Sequence, residues 1–246
     1  MEPILCASLT GDFLSRQIFG LSPSLHFTLE ISLPLNQYAW LLVLGVVTGL
    51  LGVFYNKMTI ASLKLYDRIP VLKSYQKIII PLFVSGVLGL WLPQVIGGGH
   101  VLVNYLNSEQ LVLSTLVVLL IVKFVFSLLS FGSGAPGGIF FPLLILGSLI
   151  GAIFGQIAMI FGIADVYFVN FVIFAMAGFF AGIVRAPITG IVLIAEMCGT
   201  LKLLLPIAIV SFIAYIVANS LGNEPIYESL LHRLTKNKNS VQSIEN

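Results

Sequence analysis

The chain has 246 residues, of which 58% are hydrophobic and 9% charged, with a mean hydropathy of +1.06 and a net charge of +2. This balance excludes an ordinary soluble domain and reads as an all-α integral membrane protein. The small net charge argues against nucleic-acid binding, and Cys6 and Cys198 are too few and too far apart for a disulfide framework or a metal site.

Residues 1–20 form a short, partly apolar piece with Asp12 and Arg16, and residues 21–37, with Pro23, Pro34 and several serines, read as a loop. A membrane crossing begins at Tyr38 and continues past Tyr55 towards Leu65. Lys57, Lys64, Arg68, Lys73 and Lys77 then read as one basic connection, opposed only by Asp67. The positive-inside rule assigns that connection to the cytoplasm, and Arg233, Lys236 and Lys238 in the tail agree with it. Residues 78–96 form an apolar segment broken by Pro81 and Pro93. A glycine run and His100 follow, read as a loop at the membrane edge, and residues 101–106 read as a short helix.

From Leu111 to Leu129 the chain is rich in Leu and Val with one charge, Lys123. Then comes an abrupt break: Phe131, Gly132, Ser133, Gly134, Ala135, Pro136, Gly137, Gly138, Ile139, Phe140, Phe141, Pro142. Irregular backbone at membrane depth survives only where protein or a water-filled cavity satisfies its polar groups. If a helix restarts near Ile139, its first N–H groups, beginning with those of Ile139 and Phe140, lack intrahelical partners and sit at the positive end of the helix dipole. Amides without a charged side chain suit a small anion. A tight loop whose glycines serve close helix packing explains the same residues, so composition alone leaves both readings standing.

Beyond the break, residues 143–163 are apolar, and Gly147, Gly151 and Gly155 share one helix face, which suits close helix contact. Residues 169–184 form a further helix ending at Arg185, with Pro187 just after it. Residues 188–197 are helical but too short to cross a bilayer of about 30 Å. A longer helix over 203–221, a turn at 222–225 and an amphipathic helix over 226–234 complete the chain.

The stretch from Gly132 to Phe140 resembles a signature of the CLC family of chloride channels and proton/chloride exchangers. Arg185-Ala186-Pro187-Ile188-Thr189-Gly190, with Glu196-Met197 downstream, is similar to a second family signature, and Glu224-Pro225-Ile226-Tyr227 to a third. The resemblance implies two inverted repeats of short, broken, tilted helices. Residues 1–20 would be the last helix of the first repeat, 37–222 the second repeat, and 223–246 the C-terminal helix and cytoplasmic tail. It implies a chain that begins midway through a CLC protein and is inactive alone.

It also implies a site: Ile139 and Phe140 donate backbone amides, and Tyr227 a hydroxyl, to a bound chloride, on the loop formed by Gly132, Ser133, Gly134, Ala135, Pro136, Gly137 and Gly138. A neutral phenol binds an anion without trapping it, and weak binding lets the ion leave. Chloride, with protons in an exchanger, would be the transported species. A homodimer in a bacterial inner membrane, with a cytoplasmic C-terminus, no cofactor, no metal and no catalytic residue, completes the expectation. Lys123, Arg185 and Glu196 are read as structural charges, in ion pairs or snorkelling to the interface. Two other classes compete: an intramembrane serine hydrolase with Ser133 as nucleophile and His100 as base, and a cation symporter of another family built from broken helices.

Overall fold

The computed structural model describes residues 2–20, 25, 27, 33–69, 76–97, 102, 103, 105, 106, 111–199 and 201–245. The described residues are helical, with no strand among them. The helices are α1 (Glu2–Phe19), α2 (Ala39–Asp67), α3 (Ile79–Trp91), α4 (Leu113–Gly132), α5 (Phe140–Ile160), α6 (Phe168–Val184), α7 (Pro187–Met197), α8 (Leu204–Ser220) and α9 (Ile226–Glu245). Four described segments are long and apolar enough to cross a membrane: Ala39–Asp67, Leu113–Gly132, Phe140–Ile160 and Asp165–Val184.

The centre of the bundle is α6, which packs on α2, α5, α7 and α8. Every residue of α6 from Asn170 to Ile183 is buried. The glycine spacing explains how α5 fits against it. A Cβ on Gly147 would lie 2.8 Å from the Met176 Cα, and one on Gly151 would lie 2.6 Å from the Val172 Cα, so the two backbones touch. Gly155 continues the seam against the Phe168 ring. Packing, not chemistry, is what these glycines supply.

Three boundaries differ from the sequence expectation. Lys57 and Lys64 lie on α2 itself and not in a connection, because 29 residues at 1.5 Å each make a rod of about 43 Å, longer than the hydrocarbon layer. Its exposed lysines therefore mark the end of the helix that leaves the bilayer. Pro81 does not break its segment: it falls in the first turn of α3, where its missing N–H costs nothing. The last helix runs to Glu245, well past Leu234, since no Gly or Pro interrupts it after the apolar pattern fades. The expected loop at 21–37 falls largely, and Lys73 and His100 wholly, outside the described residues; of the helix expected at 101–106, residues 102, 103, 105 and 106 are described and are helical.

The two basic clusters meet. Arg233 on α9 pairs with Asp67 at the end of α2 at 2.5 Å and donates to the Leu63 carbonyl at 3.2 Å. The tail and the basic end of α2 therefore lie at the same end of the molecule.

Candidate functional site

The break begins where α4 stops. Gly132 is its last residue, and a side chain there would run into the Tyr66 ring, so this glycine is spent on packing. Gly134 then takes a left-handed conformation, φ 77°, which a glycine adopts without steric cost. Ser133 closes the turn: its hydroxyl donates to the Ser130 carbonyl at 2.7 Å and accepts the Ala135 N–H at 3.3 Å. From Pro136 to Gly138 the chain runs open, and α5 starts at Phe140 with Ile139 as its N-cap and no side-chain cap. Among the described residues no protein acceptor takes the N–H of Gly137, Gly138, Ile139 or Phe140.

Three of these four residues border space. A cavity of about 130 Å³ is lined by Gly137, Gly138 and Ile139 together with Tyr55, Lys123 and Ser127. It is well above the ~10–15 Å³ that one water-sized sphere requires. Lys123 is 2% exposed, and its Nζ donates to the carbonyls of Val95 at 2.6 Å and Gly97 at 3.1 Å. No carboxylate pairs with it among the described residues. Tyr55 is buried to 1% and meets the Ser127 hydroxyl at 3.4 Å. The wall thus offers open amides, hydroxyls and one cation. That set favours a small anion over a cation.

Sequence reasoning missed Lys123, Tyr55 and Ser127 as neighbours of the loop. Of the three charges expected in ion pairs or snorkelling to the interface, none makes an ion pair among the described residues. Lys123 rests on carbonyls, and Glu196 is exposed. Arg185 donates to the Ala218 carbonyl, to the Asn223 carbonyl at 2.6 Å and to Asn219 Oδ1 at 3.2 Å.

Phe140 does not line the cavity; its ring packs edge-on against Phe180 and Phe141. Tyr227 does not line it either and is 50% exposed, with no hydrogen bond from its hydroxyl among the described residues. Its neighbour Ile226 is fully buried in the apolar cluster that holds Ile139, Leu143 and Tyr55. The structure thus brings the first turns of α5 and α9 to one cluster, with Tyr227 at its edge.

The sequence profile of the family described as voltage gated chloride channel matches residues 1–219. The chain belongs to this family. It is 42% identical over 242 residues to the H(+)/Cl(-) exchange transporter ClcA of Vibrio parahaemolyticus, covering 96% of this chain and 52% of that protein. The transporter of the same name from Salmonella arizonae is 32% identical, with 98% of this chain and 52% of the relative covered. The fold is similar to the crystal structure of a slow cyanobacterial Cl-/H+ antiporter, with a TM-score of 0.86 and 30% identity over 92% of this chain and 54% of that one. A CLC-type fluoride/proton antiporter shares the fold at a TM-score of 0.71 and 22% identity. The chain therefore spans about half the length of the curated relatives it matches.

Family membership removes the symporter of another family, and these relatives are transporters, not enzymes. The hydrolase reading finds no support. Ser133 commits its hydroxyl to the turn, and its expected base, His100, lies outside the described residues. The all-helical architecture expected from the sequence is the one observed, and the chain is an integral membrane protein.

Proposed function

We propose that this chain supplies one half of a chloride pathway in a proton-coupled CLC exchanger. The carrying observation is the open row of amides at the start of α5 beside a cavity whose wall holds the Lys123 side chain, its ammonium resting on backbone carbonyls. In this reading the Ile139 and Phe140 amides and the Tyr227 hydroxyl bind chloride, and residues 132–138 form the loop that exposes the amides. Neutral donors hold the ion loosely enough for it to move on. The exchange transporters among the similar proteins favour coupling to protons over a simple channel.

Residues 37–222 act as one repeat, with 1–20 the last helix of its counterpart and 223–246 the closing helix and tail. A homodimer with one pathway per subunit follows from the resemblance. The C-terminus is cytoplasmic in this reading. Its support is the Arg233–Asp67 pair, which gathers the tail and the exposed Lys57, Lys64 and Arg68 at one end.

Chloride efflux from liposomes, recorded together with external pH, tests the proposal. The chain is reconstituted alone and with the complementary half of the Vibrio parahaemolyticus relative. The expected result is flux only with both halves, with protons moving against chloride. A flat pH trace during flux would make it a channel, and absence of flux in both preparations would remove the transport reading. Tyr227→Ala is expected to weaken chloride occupancy while changing stability by less than about 0.5 kcal/mol, because the side chain is half exposed. Unchanged chloride binding would remove Tyr227 from the site.

A further inference from the structure

Tyr227 makes no hydrogen bond among the described residues, so its position has to come from the backbone that carries it. That backbone is tied down just upstream by a side chain from another helix. Asn56, on α2, is 2% exposed. Its Nδ2 donates to the Ile183 carbonyl at 3.1 Å and to the Glu224 carbonyl at 3.4 Å. The first acceptor belongs to the last turn of α6, where carbonyls have no intrahelical donor. The second lies three residues before Tyr227, in the turn that launches α9. Both partners are carbonyls, so the amide orientation is fixed by chemistry: only the NH2 end can face them. The Oδ1 atom is buried with no protein partner, which leaves the two donor contacts as what the side chain is buried for.

Asn56 also sits next to Tyr55, whose ring packs in the cluster of Ile139 and Ile226 and lines the cavity. Two consecutive residues of α2 therefore touch both parts of the site. Tyr55 forms a wall beside the open amides, and Asn56 holds the turn that delivers the phenol.

We propose that Asn56 is the positioning residue for Tyr227, fixing the start of α9 against α6 so that the phenol meets an anion held at the α5 amides. This rests on the reading of Tyr227 as an anion donor. An apolar residue here would take the side-chain donor from the Ile183 carbonyl and one of two donors from the Glu224 carbonyl, which also accepts from Asn223 Nδ2 at 3.2 Å, and so loosen the turn; an aspartate would set a carboxylate against both.

The test is a double-mutant cycle read by chloride-nucleus NMR line broadening, which suits weak binding, on the chain purified in detergent. Asn56→Asp removes the donors at constant shape, and Asn56→Leu serves as a near-isosteric second variant should the first fail to fold. Either is expected to weaken chloride binding about fivefold when Tyr227 is present and to have no effect in a Tyr227→Phe background, the coupling typical of residues acting through one contact. Equal weakening in both backgrounds would make Asn56 a general scaffold residue and overturn the proposal, as would folded variants that bind like the unaltered chain. Equal chloride binding by Tyr227→Phe and the unaltered chain would instead remove Tyr227 as a ligand, and the role of Asn56 with it.

Discussion

The chain breaks its helices twice in similar ways and puts the two breaks to different uses. At residues 133–139 and again at 185–186, an apolar helix stops, a proline follows, and a new helix starts without a side-chain cap. The first break is built from glycines, and its amides stay open beside a cavity. The second contains the one described non-glycine residue with positive φ, Arg185 at 63°, a conformation that costs roughly 1–2 kcal/mol. That cost is offset by its own side chain. The guanidinium binds the Ala218 carbonyl and the Asn219 side chain at the negative end of α8, and the Asn223 carbonyl just beyond. The first break borders a cavity with its open amides, whereas the second uses a guanidinium to join three elements. An interrupted helix is therefore not in itself a site; what matters is what its open amides face.

The largest effect should come from Arg185→Gln, which removes charged donors from carbonyls at a helix end. A loss of about 2–3 kcal/mol is expected, read as a lower folded yield and an earlier thermal transition, with ion selectivity unchanged. Altered selectivity at normal folded yield would show that the second break also serves the pathway. Gly134→Ala comes next. A Cβ there meets nothing within 4 Å, so the cost is backbone strain alone at φ 77°, about 1 kcal/mol in thermal unfolding. A stability indistinguishable from that of the unaltered chain would mean that the turn relaxes freely. Gly138→Ala is the mildest. Its Cβ also meets open space and its φ is not positive, so stability should stay within about 0.5 kcal/mol while the added methyl narrows the cavity and weakens chloride binding. If binding is untouched, the cavity beside the first break loses its functional meaning.

Much of this was legible because the sequence punctuates itself. Gly132 to Gly138, Arg185 to Pro187 and Gly222 to Pro225 interrupt apolar runs, and the helices stop and start there. The four-residue glycine repeat announced the α5–α6 seam, since only close backbone contact needs that spacing. The ends of α2 and α9 were harder to read. Local pattern does not say where a continuous helix leaves the bilayer, nor where a polar helix ends. The cavity wall was hidden for another reason. Tyr55 and Ser127 are 72 positions apart and meet only through packing of α2 on α4, while Lys123 looked like any lone lysine in an apolar run. Its carbonyl partners, Val95 and Gly97, carry no side-chain signal at all. Asn56 was silent likewise, because a buried asparagine that serves two backbone carbonyls has no partner residue type to search for.

The backbone contact of α5 on α6 also has a mechanical meaning. Methyl-free faces at Gly147 and Gly151 leave no flexible side chain between the two rods to take up movement. The middle of α5 is thus in backbone contact with α6, and a sideways shift of α5 toward its neighbour has no room. The amide-bearing first turn of α5 is carried on a helix that α6 braces two turns further on.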